Sequence, residues 1–296
     1  MDLTVLFSSM VAVIAPVFLV AALGFGWLRA NLPYDSAFVT AFAVNVSTPC
    51  LVFSALTKTQ LAGEQLGAMA AVSLACIMIP GLIAYPFLRL ARIPWRVYLP
   101  ALSFPNAGNL GLPICLFAFG PEGLSLGVMF FATMAIAQFT IGPAVAAGKF
   151  SLQQMIRTPV LYSVTAALGV LGTGFPVPRW ISNTTDLLGN CAVPLMLFSL
   201  GVALARLRFG GTTRAIFMSA FRLALGIGAG YGVSWAMELE GTMRGVTILQ
   251  SSMPVAVFNY LWALRYDNSP EEVAAMVLGS TVLAFLTLPL LLLNVM

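Results

Sequence analysis

Apolar residues follow one another along this chain in ten long stretches, which short polar connections separate. Each stretch has about the 20 residues that an α-helix needs to cross the hydrocarbon core of a bilayer. The stretches cover residues 4–28, 36–57, 66–90, 96–118, 122–146, 159–176, 182–205, 214–236, 242–264 and 271–294. The pattern therefore predicts an all-α polytopic membrane protein with ten transmembrane helices and no soluble domain.

Composition supports this prediction. Hydrophobic residues make up 60% of the chain, charged residues make up 8%, and the mean hydropathy is +0.96. A soluble domain carries about 25% charged residues, so this chain cannot cover itself with a solvated surface. The first stretch has no basic region before it and no small-residue cleavage site after it, so we expect a retained helix and not a signal peptide.

Basic residues are distributed unevenly over the connections. Eleven follow odd-numbered stretches, namely Arg29, Arg89, Arg92, Arg96, Lys149, Arg157, Arg206, Arg208, Arg214, Arg222 and Arg265. Three follow even-numbered stretches, namely Lys58, Arg179 and Arg244. Because Lys and Arg stay on the cytoplasmic side, the odd connections are predicted to be cytoplasmic. Both termini then face the periplasm or the outside of the cell.

The pattern Asn-x3-Pro-x3-Phe-Ser occurs twice, beginning at Asn45 in the second stretch and at Asn190 in the seventh. Pro105 in the fourth stretch has a similar counterpart, Pro254, in the ninth. The repeating unit is thus five helices, and an odd number inserts the second copy upside down. We expect two inverted repeats at 1–146 and 159–296, joined by a cytoplasmic linker at 147–158. Inverted repeats with proline-broken helices are typical of secondary transporters.

The fourth and ninth stretches are the strongest candidates for a binding site. Pro105 and Pro254 leave backbone carbonyls without an N–H partner, so backbone at this depth has to line an enclosed or wet cavity. The positive N-terminal ends of the half-helices attract anions. The predicted substrate-binding residues are Pro105, Asn106, Asn109, Pro254, Ser251 and Asn259, with Asn45 and Asn190 left open between cavity lining and hinge packing.

Several kinds of chemistry find no support. The chain has no His, and its four cysteines show no CxxC spacing, so we predict no metal site, no cofactor and no enzymatic activity. The basic residues are dispersed among short connections and form no run, so they give no case for nucleic-acid binding. No Asp, Glu or Lys falls in the middle of a stretch, whereas proton-coupled carriers usually keep a carboxylate there. Two interpretations of Arg222 stay open: it extends to the cytoplasmic interface, or it faces an anionic substrate.

The segment Phe104-Pro-Asn-Ala-Gly-Asn-Leu-Gly-Leu-Pro113 resembles the signature of the auxin efflux carrier family, in its bacterial branch. The segments Met196-Leu-Phe-Ser-Leu-Gly201 and Ser252-Met-Pro-Val-Ala-Val-Phe-Asn259 are similar to that family too. The resemblance implies a fold like that of the sodium/bile-acid symporters, in which helices four and nine cross at Pro105 and Pro254. It also gives Asn106 the role of a substrate-contacting asparagine. The long hydrophilic loop of the plant members is absent, which puts the plant hormone in doubt as substrate.

The resulting hypothesis is a secondary transporter of the bacterial inner membrane for a small organic anion, working by alternating access. A carboxylate such as malonate or malate is favoured over an auxin-like acid. The alternatives are a sodium-coupled symporter of the bile-acid type, with Na⁺ bound by freed carbonyls and Ser251, Ser252 or Asn259, and a non-transporting sensor. The coupling ion (H⁺ or Na⁺) and the oligomeric state, a homodimer included, stay open.

Overall fold

A computed structural model describes residues 3–59, 61–147, 159–206 and 213–296. The described chain is helical throughout, apart from turns and one isolated backbone bridge. The helices of the first part are α1 (Leu3–Arg29), α2 (Ser36–Phe42), π1 (Ala43–Ser47), α3 (Thr48–Thr57), α4 (Gly63–Leu90), α5 (Trp95–Ser103), π2 (Ala107–Gly111) and α6 (Leu112–Ala147). Those of the second part are α7 (Pro159–Thr173), α8 (Arg179–Gly189), α9 (Ala192–Arg206), α10 (Thr213–Ala236), α11 (Gly241–Ser251), α12 (Val257–Arg265) and α13 (Pro270–Val295).

Among the described residues, seven helical stretches are long and apolar enough to cross a membrane, and α7 is a shorter apolar helix. The predicted stretches four and five meet within α6 at Gly120, whose backbone is not helical (φ 63°, ψ −152°), so α6 consists of two helical segments joined by a kink. The ninth stretch falls into α11 and α12, each too short to count by itself. The ten-helix topology and the inverted repeat therefore stay predictions. Lys149, Arg157, Arg208 and positions 148–158 of the predicted linker lie outside the described residues.

Prolines and glycines explain where the helices are interrupted. Pro49 follows π1, whose wider turns accommodate a residue without an N–H. In this π segment the amide of Asn45 donates to the carbonyl oxygen of Ala41 at 2.9 Å. The second copy of the motif differs, because the chain turns at Asn190 and Cys191 between α8 and α9.

The helices form two groups that pack mainly within themselves. The frame bundle consists of α1, α2 with π1 and α3, α7, α8 and α9; the crossing bundle consists of α4, α5 with π2 and α6, and α10 to α13. The most extensive packing in the frame bundle joins α1 to α9 and α3 to α7, and in the crossing bundle it joins α10 to α13 and α11 to α6. The two bundles touch chiefly where α3 lies against α6 and where α9 lies against π2.

Close approach of α1 and α9 depends on two glycines. A Cβ atom at Gly24 would lie 2.1 Å from the carbonyl oxygen of Phe198, and one at Gly201 would lie 1.8 Å from that of Ala21. Any side chain at either position would force the helices apart. In membranes, where lipid is as apolar as the helices, such close backbone packing is a main source of helix association. The frame bundle is therefore built around a glycine contact.

Candidate functional site

The two broken segments of the crossing bundle meet backbone to backbone. The chain is not helical at 104–106, between α5 and π2, and at 253–256, between α11 and α12. The N–H of Asn106 donates to the carbonyl oxygen of Pro254 at 2.7 Å, and the N–H of Ala256 donates to that of Phe104 at 3.3 Å. These bonds make a short antiparallel bridge between Pro105 and Val255. The bridge satisfies non-helical backbone that hydrocarbon would leave unpaired.

Side chains complete the crossing. Val255 donates its N–H to the hydroxyl oxygen of Ser280 on α13 at 3.0 Å. Asn259 donates its amide to the carbonyl oxygen of Phe104 at 3.2 Å and accepts a bond from Gln138 at 3.4 Å. Gly111 lets the side chain of Gln250 approach, since a Cβ there would lie 2.1 Å from Gln250 Oε1. Side chains of three helices, α6, α12 and α13, thus hold the crossing through hydrogen bonds.

A cavity of about 420 Å³ opens between the two bundles, directly against this crossing. The crossing bundle contributes Pro105, Asn106, Gly108, Asn109, Phe131, Met134, Ala135, Gln138, Phe139, Ala256, Phe258, Trp262 and Arg265. The frame bundle contributes Ala43, Val44, Asn45, Thr48, Pro159, Val160 and Met196. Most of the wall is apolar, with amides concentrated near the crossing. A few polar groups in a largely apolar wall are typical of sites for small organic ligands.

Two N–H donors at this cavity have no partner among the described residues. Asn106 is 3% exposed, and its Nδ2 makes no hydrogen bond. The Nε1 of Trp262 is likewise buried without a partner. A buried donor without an acceptor costs free energy, about 1–3 kcal/mol. The Asn106 amide is therefore suited to donate to an acceptor atom that enters the cavity, whereas Trp262 Nε1 lies near Gly142, where an added Cβ would be 3.6 Å from it.

The helix ends at the crossing add to this donor character. Asn106 precedes π2 and Ala256 precedes α12, and neither residue caps its helix with a side-chain hydrogen bond. The first N–H groups of a helix have no intrahelical partners and carry a positive partial charge. Both residues line the cavity, so the two uncapped helix starts lie at its wall. Anions are favoured at such places.

A second, smaller cavity of about 320 Å³ adjoins the first. The two share Ala43, Val44, Asn109, Met196 and Phe258 as wall residues. Arg206, the last residue of α9, lines the second cavity and lies over the Tyr34 ring with 5.9 Å from Cζ to the ring centroid. Arg265, the last residue of α12, lines the first cavity. Each cavity thus has an exposed arginine and no carboxylate in its described wall.

The predicted site residues divide into three sets. Pro105, Asn106, Asn109 and Asn45 line the first cavity. Pro254, Ser251 and Asn259 are buried behind it: Pro254 accepts from Asn106, Asn259 ties α12 to Phe104, and the Ser251 hydroxyl donates to Ile248 at 3.2 Å. Asn190 lies elsewhere, in the wall of a cavity of about 470 Å³ with Ser54, Lys58, Glu122 and Ser125.

The cavity at Asn190 lies at the other end of the molecule. Asn190 and Arg206 flank α9, so the helix rise of 1.5 Å per residue separates them by about 20 Å. Close to this cavity, Asp186 of α8 pairs with Lys58 and accepts from the hydroxyl of Ser54. At this end the bundles are in contact, because the hydroxyl of Ser125 on α6 donates to the carbonyl oxygen of Ala55 on α3 at 3.2 Å.

Some residues of the site were not predicted from the sequence. Gln138 lies in the fifth stretch, and Trp262 lies in the ninth stretch beyond its break; neither was among the predicted site residues. The expectation that Arg222 extends to the interface is wrong, since its side chain is 1% exposed and donates to the carbonyl oxygen of Ser251 at 3.0 Å. Arg222 lines neither cavity next to the crossing.

Comparison with known proteins gives a consistent picture. A family model described as "Membrane transport protein" matches residues 143–292. An uncharacterized transporter of Methanothermobacter thermautotrophicus is 28% identical over 272 residues, 86% of this chain and 88% of that protein. An uncharacterized transporter of Methanocaldococcus jannaschii is 25% identical over 83% of this chain and 85% of its own length. Auxin efflux carrier component 1 of Arabidopsis thaliana is 27% identical over 139 residues, 45% of this chain and 22% of that carrier.

Proposed function

This chain belongs to the membrane transport protein family that includes the auxin efflux carriers, and on that premise we propose that it carries a small organic anion by alternating access. As a member of the family it is an integral membrane protein and a membrane transporter. Our proposal concerns the class of substrate, the residues that bind it and the transport cycle. Ten spans in two inverted repeats, with both termini outside the bacterial inner membrane, belong to the same proposal.

The observation that carries the proposal is the buried Nδ2 of Asn106, which has no partner and lies at a cavity against the crossing. A carboxylate oxygen placed there accepts from Asn106 and from the uncapped N-terminal turns of π2 and α12. Hydrogen bonds to a charged acceptor are worth about 1.5–3 kcal/mol each. Asn106 and the two helix starts would bind the anion through groups without a full charge, and Arg265 of the same cavity wall is exposed. Such binding suits a carrier that must release its substrate.

The cavity wall also bears on substrate class. Phe139 packs edge-on against Phe258 and Trp262, with ring centroids 5.3 Å and 5.8 Å apart. This aromatic side takes the apolar part of a substrate, while the amides of Asn106, Asn109 and Gln138 take its polar end. The wall thus accommodates two kinds of substrate. A dicarboxylate such as malonate or malate would bind to the amide side chains, and an auxin-like acid would bind to the amides with its carboxylate and to the aromatic rings with its apolar part. Arg206 and Arg265 would draw either anion toward the cavities.

The arrangement of the bundles fits alternating access. We infer that the cavities next to the crossing open at the end where Arg206 and Arg265 are exposed. At the other end, beside the cavity of about 470 Å³, a hydrogen bond from Ser125 to Ala55 joins the two bundles. By the distribution of basic residues, the open end faces the cytoplasm. Rocking of the crossing bundle against the frame bundle would close this end and open the other, carrying the site across.

A ligand screen tests the proposal. Purified protein is heated with malonate, malate, other mono- and dicarboxylates and indole-3-acetate, each with and without Na⁺, and the unfolding temperature is followed. Ligands that bind only the folded protein raise it. We expect carboxylates to stabilise the protein and amides of the same acids to have no effect. Equal stabilisation by acid and amide would contradict an anion site.

Transport is tested separately. Protein in liposomes loaded with the unlabelled hit should accumulate the labelled compound by counterflow, which a sensor without turnover cannot do. A dependence of uptake on a Na⁺ gradient would favour the sodium-coupled alternative. Asn259 Oδ1 already accepts from Gln138 and the Ser251 carbonyl oxygen from Arg222. The unpaired hydroxyl of Ser252 is the ligand that remains for this alternative. We expect uptake to be independent of Na⁺.

A further inference from the structure

Arg222, on α10, is a large charged side chain that is fully buried, with 1% exposure. Its Nη2 donates to the carbonyl oxygen of Ser251 at 3.0 Å, while Nε and Nη1 have no partner. In the part of the chain that the structure describes, no ion pair joins this guanidinium to a carboxylate. A buried charge without compensation is strongly unfavourable. Some other group must therefore stabilise Arg222.

The carbonyl end of α11 is that group. Ser251 is the last residue of α11, and the last four carbonyls of a helix have no intrahelical partners. Together they act as about half a negative charge. Pro254 removes the N–H that would otherwise reach the carbonyl of Gln250, and the bond that replaces it, from Met253, is long at 3.4 Å. A concentrated negative end therefore lies inside the membrane, next to the crossing.

Two glycines allow the guanidinium to reach this end. A Cβ at Gly226, one turn beyond Arg222, would lie 2.2 Å from the Ser251 carbonyl oxygen and 2.9 Å from Arg222 Nη1. A Cβ at Gly230, a further turn along the same face, would lie 2.3 Å from Ser251 Oγ. The backbones of α10 and α11 can approach so closely only because both positions lack side chains. The contact of Arg222 with α11 thus depends on the glycines at these two positions.

We propose that the charged side chain of Arg222 neutralises the carbonyl end of α11 and so holds the crossing in the geometry that binds substrate. Ser251 leads through Met253 to Pro254, whose carbonyl oxygen accepts from Asn106. Arg222 lines neither cavity, so it acts through α11 as a positioning residue and not by contact with substrate. A Na⁺ ion bound at the Ser251 carbonyl would occupy the place that the guanidinium already fills. This inference rests on the proposed transport function.

The experiment compares variants that separate charge from shape. Arg222→Lys keeps the charge, and Arg222→Gln keeps polar contacts without it; Arg179→Gln, on an exposed residue of α8, is the matched control. We expect Arg222→Gln to lower both the unfolding temperature and the counterflow rate, the latter by about tenfold or more. Arg222→Lys should retain a larger part of both, and Arg179→Gln should match the unaltered protein. Equal behaviour of the Lys and Gln variants would overturn the proposal.

Chemical rescue makes the test specific. The Arg222→Ala variant is supplied with guanidinium or with urea, its neutral counterpart of the same shape, at tens of millimolar. We expect guanidinium, and not urea, to raise the unfolding temperature and restore counterflow. Rescue by urea to the same extent, or by neither compound, would overturn the role of the charge. Because the unfolding temperature is measured without substrate, this arm stays decisive even if the unaltered protein proves not to transport, which would refute the proposed function instead.

Discussion

The backbone N–H of Asn106 donates to the carbonyl oxygen of Pro254 at 2.7 Å, while the side-chain Nδ2 of the same residue has no partner. One asparagine therefore takes part in the crossing with its backbone and keeps an unpaired amide beside the cavity. Any shift of α11 relative to π2 moves Pro254 and, through this bond, the donor itself. Binding geometry and the packing of the crossing are coupled at a single residue.

The glycine contact of the frame bundle gives a prediction of stability. Gly24→Ala would place a methyl group 2.1 Å from the carbonyl oxygen of Phe198, and we expect it to destabilise the protein by about 1–3 kcal/mol through forced separation of α1 and α9. Gly26→Ala, on the same helix with nothing within 4 Å of the added Cβ, should be neutral or slightly stabilising. Unfolding temperatures of the two purified variants check this, and equal values would contradict it.

The closed end of the molecule gives a prediction of movement. Ser125 and Ala55 join the two bundles through a hydrogen bond of 3.2 Å. In a background where the native cysteines are replaced, the pair Ala55→Cys and Ser125→Cys should form a disulfide on oxidation and abolish transport, because the bundles can no longer separate there. Reduction should restore transport.

The single variants control for the substitutions in that experiment. Ala55→Cys alone and Ser125→Cys alone should transport equally before and after oxidation. A cross-linked double variant that still transports at the uncrosslinked rate would show that this contact does not open during the cycle.

The arginines at the helix ends give a prediction of salt dependence. Arg206→Gln and Arg265→Gln each remove an exposed charge from a cavity wall, and we expect each to raise KM for the anion by roughly two- to fivefold with little change in the maximal rate. The increase should shrink as ionic strength rises, because salt screens exposed charges. Arg179→Gln, which lies on α8, should leave KM unchanged at all salt concentrations.

The sequence predicts where the helices are interrupted, but not which side chains bond to the interrupted backbone. Pro105 and Pro254 predicted where the helices break, because a missing N–H and a rigid ring act locally. The bonds of Asn259 to Phe104 and Gln138 depend on which helices lie side by side, and nothing in the spacing of residues specifies that. The same limit applies to Arg222, whose position in the stretch suggested the interface, while Gly226 and Gly230 bring it against α11.

Asn45 and Asn190 lie in different places in the structure, which the sequence did not predict. The two occupy identical positions in the repeated motif, so the sequence offers no ground for separating them. Asn45 lines the cavity at the crossing and Asn190 the cavity at the opposite end. A repeat in sequence thus indicates related elements, but the surroundings of each copy decide what its side chains contact.

The measurement that tests the central claim most directly is counterflow of a labelled carboxylate in liposomes that contain Asn106→Ala, with Asn183→Ala as the matched control on an exposed turn of α8. Removing the Asn106 amide leaves its backbone bond to Pro254 in place, so we predict unchanged folding, a loss of stabilisation by the carboxylate, and transport lowered at least about tenfold. The Asn183→Ala variant should transport normally. Transport by Asn106→Ala at the rate of the unaltered protein would contradict a substrate site at the crossing.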